Sequence, residues 1–379
     1  MPVRLVRVVD VLVVDVLVLV AGGLRRAEGE ARVPVGPVMV MGVRPETVPV
    51  FCRAVHSRER TPPSGSHVGS RSVGSDIPER LVDSINLAYG VHPGFRAAHA
   101  KGVLCAAKFT PTPAAARLCR AAHLAGGDVR AHVRFSNGSG DPATPDTTRD
   151  GRGMAVKFYL PDSTTTDIVA ISLPAFFART PEDLLAFNAA RRADPATGQP
   201  DIAKVGEYLA AHPEAMTAVG AAMAHPIPAS YAALTYHGLH AFGFVAADDS
   251  VRFGRYHLVP EGGDEVLSEE DVATRGPDFL GSELGDRLAR EPAPFAVRVQ
   301  LAGAGDPIDD PTVVWPDDRR VVELGRLSVT ALAHDRERDG DILVFDPTRV
   351  PDGIVCSDDA ILHARGRAYG VSVARRTAP

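Results

Sequence analysis

Seven stretches between residues 131 and 333 alternate apolar and polar side chains at the two-residue period of an extended strand. They read AHVRFSN, GMAVKFYL, TDIVAISL, AFGFVA, VRFGRYHLVP, FAVRVQLAGA and VELGRLSVTALA. In the first, Val133 and Phe135 take one face while His132, Arg134 and Ser136 take the other. Residues 239–245 and 251–259 stand close enough to pair as a hairpin. Helical stretches such as PEDLLAFNAARRA, IAKVGEYLAAH, EAMTAVGAAMA and PDFLGSELGDRLARE lie between the strands. This order predicts an α+β fold, an antiparallel sheet or barrel with helices added, and not a doubly wound parallel sheet. No glycine-rich phosphate loop and no internal repeat is present.

The ordered domain is expected to span residues 76–379, opening on DIPERLVDSINLAYG. There Ile77, Leu81, Ile85 and Leu87 recur at helical spacing behind an Asp76 cap and Pro78. Residues 1–75 differ from the rest, and we expect a poorly ordered extension or one produced by a misplaced start codon. Its valine-rich run superficially looks like an export signal, but Asp10 and Asp15 interrupt it. Each would cost about 2.5–3.5 kcal/mol at a membrane centre, so no stable membrane association is expected. RTPPSGSHVGSRSVGS then reads as a linker.

A net charge of −6 argues against a general nucleic-acid binder, and 45% hydrophobic residues suffice for a sizeable core. Cys52, Cys105, Cys119 and Cys356 show neither disulfide-framework nor zinc spacing. A reducing, cytoplasmic setting is the easier reading, with export the alternative if residues 1–25 act as a signal.

Three short segments concentrate groups able to do chemistry. HPGFRAAHAKG brings Arg96 and His99 together among small residues. VRFSNGSGDP places Arg134 and Ser136 on one strand face, where a hydroxyl could fix a histidine tautomer and free its other nitrogen for proton transfer. ILHARGRAYGVSVARR sets Arg365 one helical turn before Tyr369, with Arg375 and Arg376 close behind. A neighbouring guanidinium, and still more a ferric iron, favours the phenolate.

Together these segments resemble the haem catalase family. FRAAHAKG is similar to its distal-histidine motif, and VRFSNGSGDPATPDTTRDGRGMAVKFY to its long strand-loop-strand signature. DIVAISLPAFFARTPEDLLAF and YHGLHAFGFVAADDSVRFGRYHLVPE follow in the family's order. DPTVVWPDDRRVVELGRLSV then resembles the Val-Trp-Pro segment, and FDPTRVPDGIVCSDDAILHARGRAYG the proximal haem-ligand helix. The likeness covers about residues 76–376 and fits best the short branch of catalase-related peroxidases. It implies an antiparallel β-barrel of the catalase core type with added helices, binding haem b. Tyr369 would be the axial iron ligand, held ionised by Arg365. His99 would be the distal acid/base and Ser136 its orienting partner. Arg96, Arg134 and Arg376 would bind the haem propionates, and Phe176 and Phe177 would form the apolar distal wall. His240 and His257 are read as structural.

One position departs from the family. Ile171, in AISLP, stands where catalases carry a distal asparagine, and its side chain can neither donate nor accept a hydrogen bond. Strand alternation turns the neighbouring Ser172 to the other side. The resemblance with this change implies a peroxidase that reduces hydrogen peroxide or organic hydroperoxides at the expense of a small-molecule electron donor, with weak or absent dismutation. Hydroperoxide rearrangement, as in allene oxide synthase relatives, and a non-catalytic haem-binding barrel are the alternatives. Without the arm of the large catalases, a monomer or homodimer is expected.

Overall fold

The computed structural model of the chain describes residues 77–378, apart from 195, 335 and 338–341. The expected extension over residues 1–75 and the Asp76 cap lie outside the described residues.

Eight strands close into an antiparallel barrel. They are β1 (Gly102–Pro111), β2 (Val129–Asn137), β3 (Arg152–Tyr159), β4 (Thr165–Ile171), β5 (Tyr236–His237), β7 (Val251–Pro260), β8 (Ala293–Leu301) and β9 (Val321–Leu332). Neighbours pair in that order, and β9 returns to β1 to close the ring. Two further strands, β6 (Phe242–Val245) and β10 (Ile354–Cys356), extend the sheet outward from β7. Closure leaves no open edge around the ring itself.

The two faces of each strand divide the work. Phe109, Val133, Phe135, Val156, Phe158, Leu258, Phe295 and Val299 point inward and are buried in one continuous core. Phe135 sits at its centre, with Tyr231, Tyr236 and Phe295 rings within about 6 Å. The outward face carries the polar partners of the same strands. One cross-strand row there runs Gly102, Ser136, Gly153, Ile171, His237, His257. The adjacent row runs Leu104, Arg134, Ala155, Val169.

Helices cover part of that outer face. In chain order these are α1 (Ile77–Tyr89), α2 (Pro113–Leu118), α3 (Pro181–Ala190), α4 (Ile202–Ala211), α5 (Met216–Met223), α6 (Glu269–Thr274), α7 (Phe279–Arg290) and α8 (Ala360–Arg376). The first, α1, packs against α8 and α3. A capping box between Thr180 and Asp183 starts α3. Phe187 and Tyr208 then join α3 to α4 in a second, smaller core with Phe177 against it. Among the described residues, no helix is long and apolar enough to cross a membrane.

One buried histidine gives the fold an acid-sensitive point. His123 packs on the Phe158 ring, and its Nδ1 has no hydrogen-bond partner among the described residues. Burial pushes its pKa down to about 4. The unfolded chain takes up that proton near pH 6.5, so the unfolded state binds more protons between the two values. Stability from this ring is therefore complete above about pH 6.5 and is lost as pH falls toward about 4, by about 3 kcal/mol. His123→Phe should flatten this part of the acid limb in urea-unfolding titrations. An unchanged slope would assign the acid sensitivity to other groups.

Candidate active site

His99 lies in the segment before β1 with its backbone in the left-handed region, φ 56°. Such a conformation costs a non-glycine residue about 1–3 kcal/mol and persists where surrounding contacts hold it. Here the His99 amide donates to Gly138 O, and Arg134 Nη2 donates to His99 O at 3.0 Å. The ring is thereby directed at the outer face of β2, where Nδ1 meets Ser136 Oγ at 3.0 Å. Gly153, next in the row, leaves room for this pair: a Cβ there would lie 2.7 Å from Ser136 Oγ and 2.8 Å from His99 Nδ1. Burial first, and then the charges of Arg134, Arg365 and Arg96, push the His99 pKa down to about 3. The imidazole is neutral at physiological pH.

A second constellation forms where α8 meets the strands. Arg365 donates to Tyr369 Oη from both Nε (2.9 Å) and Nη2 (2.6 Å), as the four-residue spacing on one helix face requires. Its third nitrogen, Nη1, lies 2.8 Å from His240 Nε2. A guanidinium has only donors, so this contact makes Nε2 the acceptor and leaves the proton on Nδ1. Nδ1 in turn faces Asp359 Oδ2 at 2.6 Å, and both His240 and Asp359 are buried. The other oxygen of Asp359 accepts from the Ile361 and Leu362 amides and caps α8. One carboxylate thus fixes both the helix start and the orientation of the Arg365 partner.

An apolar bed includes the cross-strand neighbours of Arg134. Leu104, Leu343 and Phe345 form a buried cluster with Ala155 and Val169 packed against it. Arg96, Arg134 and Arg376 gather beside it around the single carboxylate of Glu337. Burial, opposed by the Glu337 charge and reinforced by the Arg96 charge, lowers the Arg134 pKa to about 10, so it remains a cation at neutral pH.

The sequence-derived residues thus fall into two adjoining groups, His99 with Ser136 and Arg365 with Tyr369, flanked by the three arginines. Phe176 and Phe177 follow Ile171 at the end of β4. Phe177 stacks on Phe187 at 5.1 Å, so the pair opens an aromatic wall toward the smaller core. Ile171 lies in the same cross-strand row as Ser136 and Gly153. Ser172 turns away, as alternation predicts: its hydroxyl meets His225 Nε2 at 2.6 Å and accepts from the Arg152 amide. His257 faces His237 across the strand pair, Nδ1 to Nδ1 at 3.0 Å. His240, read from sequence as structural, proves to be the direct partner of Arg365. Glu337 carried no sequence signal, and Asp359 offers only that of a helix N-cap, which says nothing of its contact with His240.

The residues present fit a haem. Three guanidiniums converge on one carboxylate, and such a donor-rich cradle suits a ligand that brings carboxylates of its own. The apolar bed suits a flat ring, and a tyrosine oxygen with two charged donors suits an anionic metal ligand.

A closed antiparallel barrel with an arginine-held tyrosine on its last helix and a histidine–serine pair on its outer wall points to the class of haem oxidoreductases. Residues 94–379 match the Catalase family model, and the chain belongs to the catalase family, whose members bind haem and act on peroxide. It is 44% identical over 305 residues to a catalase-related peroxidase of Mycolicibacterium paratuberculosis, covering 80% of this chain and 96% of that one. It is 31% identical over 300 residues to a catalase-related peroxidase of Synechococcus elongatus, covering 79% and 88%. The fold matches the crystal structure of a fungal catalase with a TM-score of 0.67 at 23% identity, over 86% of this chain and 67% of that chain.

Proposed function

We propose that the protein is a haem b peroxidase that reduces hydrogen peroxide or an organic hydroperoxide at the expense of a small-molecule donor, with little dismutation. The observation that carries this reading is the Asp359–His240–Arg365–Tyr369 chain, which places two charged donors on the phenol oxygen. Bound haem supplies an iron centre able to take a peroxide O–O bond apart by two-electron reduction. The rest is the work of this chain's side chains. Tyr369 would hold the iron, and Arg365 would stabilise negative charge on its oxygen. Arg96, Arg134 and Arg376 pair with the propionates, while Phe176 and Phe177 exclude water. With Nδ1–H donating to Ser136, His99 Nε2 would be free to take a proton from one peroxide oxygen and return it to the other.

The purified protein should show a Soret band of one haem per chain with tyrosinate charge-transfer features, and Tyr369→Phe should lose those features. A protein that stays colourless after reconstitution with haemin would overturn the reading.

The bias against dismutation rests on Ile171. An aliphatic side chain in the Ser136 row offers a second peroxide no hydrogen bond. Ile171→Asn is expected to raise the ratio of oxygen evolved to donor oxidised, measured with an oxygen electrode beside a chromogenic donor. An unchanged ratio would place the control at donor access. A monomeric or homodimeric state and a cytoplasmic setting complete the proposal, the latter supported by the free thiols of Cys105, Cys119 and Cys356.

A further inference from the structure

Glu337 stands five residues beyond β9, in the middle of the arginines that the haem reading assigns to the propionates. Both of its oxygens accept from Arg96 Nε, at 2.9 and 2.8 Å. Arg134 Nε lies 2.7 Å away and Arg376 Nη2 3.5 Å away. Arg376 Nε also donates to the Glu337 backbone oxygen at 3.2 Å. Other guanidinium nitrogens are spent on the backbone: Arg96 Nη2 on Leu343 O, and Arg134 Nη2 on His99 O and Ala100 O. The Nε donors of Arg96 and Arg134 therefore converge on one carboxylate. Burial pushes the Glu337 carboxyl up, but the charges of Arg134, Arg96 and Arg376 outweigh it and hold the group below its ordinary range. Glu337 is an anion throughout the neutral range.

We propose that Glu337 is a resident competitor in the propionate cradle, occupying guanidinium donors and adding a negative charge where the two propionates bind. It thereby weakens haem retention and sets how readily haem exchanges. The propionates would share guanidinium donors with Glu337, so removing its charge strengthens the hold on them. Arg96, Arg134 and Arg376 hold the cradle, and Glu337 tunes it. This inference rests on the haem reading above.

The test is haem release from the holoprotein to an excess of apomyoglobin, followed by the change in the Soret band. Glu337→Gln keeps the shape and a hydrogen-bonding carbonyl but removes the charge. It is expected to slow release by roughly 10- to 100-fold, the worth of one charge-assisted hydrogen bond. The reduction potential of the same variant should move positive, because an anion near the porphyrin has gone. Glu337→Asp, which keeps the charge, should release haem close to the wild-type rate, with unfolding curves of both variants confirming an intact fold. Equal or faster release from Glu337→Gln would overturn the proposal and make Glu337 an organiser of the arginines. A wild-type protein that takes up no haem would instead sink the cofactor reading, and this inference with it.

Discussion

His99→Ala is expected to leave haem bound while slowing peroxide consumption by roughly two to four orders of magnitude, the usual worth of a positioned proton transfer. The retained spectrum follows from separation of duties: Tyr369 and Arg365 lie on α8, and His99 precedes β1 on the barrel side. The loss follows from the state of the ring. With a pKa pushed down to about 3, the imidazole is an unprotonated acceptor at any ordinary assay pH. Its Nδ1 is already committed to Ser136. Gly153 leaves the space beside the pair to the ring itself. The same shift predicts that turnover stays flat from neutral pH down to about pH 5 as far as this group is concerned. Stopped-flow mixing with hydrogen peroxide reads the rate directly. A rate unchanged in the alanine variant would remove His99 from the mechanism.

Much of this site is legible in the sequence because its pieces are local. Arg365 and Tyr369 share a helix face, Arg134 and Ser136 share a strand face, and those relations are set by backbone period alone. The barrel was legible for the same reason wherever one face is apolar and the other polar. It was less so at β1, whose outer Leu104 and Ala106 are as apolar as its inner Cys105 and Ala107, so the two-residue alternation disappears. Strand β5 has only two residues and offers no period to read. Contacts made by barrel closure are invisible in the same way. His240 and Arg365 are 125 residues apart, and Glu337 is 241 residues from Arg96. Nothing in the spacing of either pair announces the contact.

Asp359 separates the structural and chemical duties of that hidden relay. Asp359→Ala removes the cap of α8 and leaves His240 buried without its acceptor. A lost cap costs about 1 kcal/mol and a broken buried pair about 3–5 kcal/mol, so this variant is expected to be severely destabilised. Asp359→Asn should behave differently. Its amide oxygen can still accept from the Ile361 and Leu362 amides, so the helix start survives. Its NH2 group, however, would face His240 Nδ1 and require that nitrogen to accept. The ring proton then moves to Nε2, where it meets the Arg365 Nη1 donor head-on. Arg365 must shift, and its two hydrogen bonds to Tyr369 Oη shift with it. The asparagine variant should therefore keep nearly wild-type stability in urea titrations while its haem spectrum changes and peroxide turnover falls by about 10- to 100-fold, as when a partner supporting a metal ligand is lost. If Asp359→Asn proves as active as the wild type, Arg365 holds its place without His240 and the relay is a feature of the fold alone.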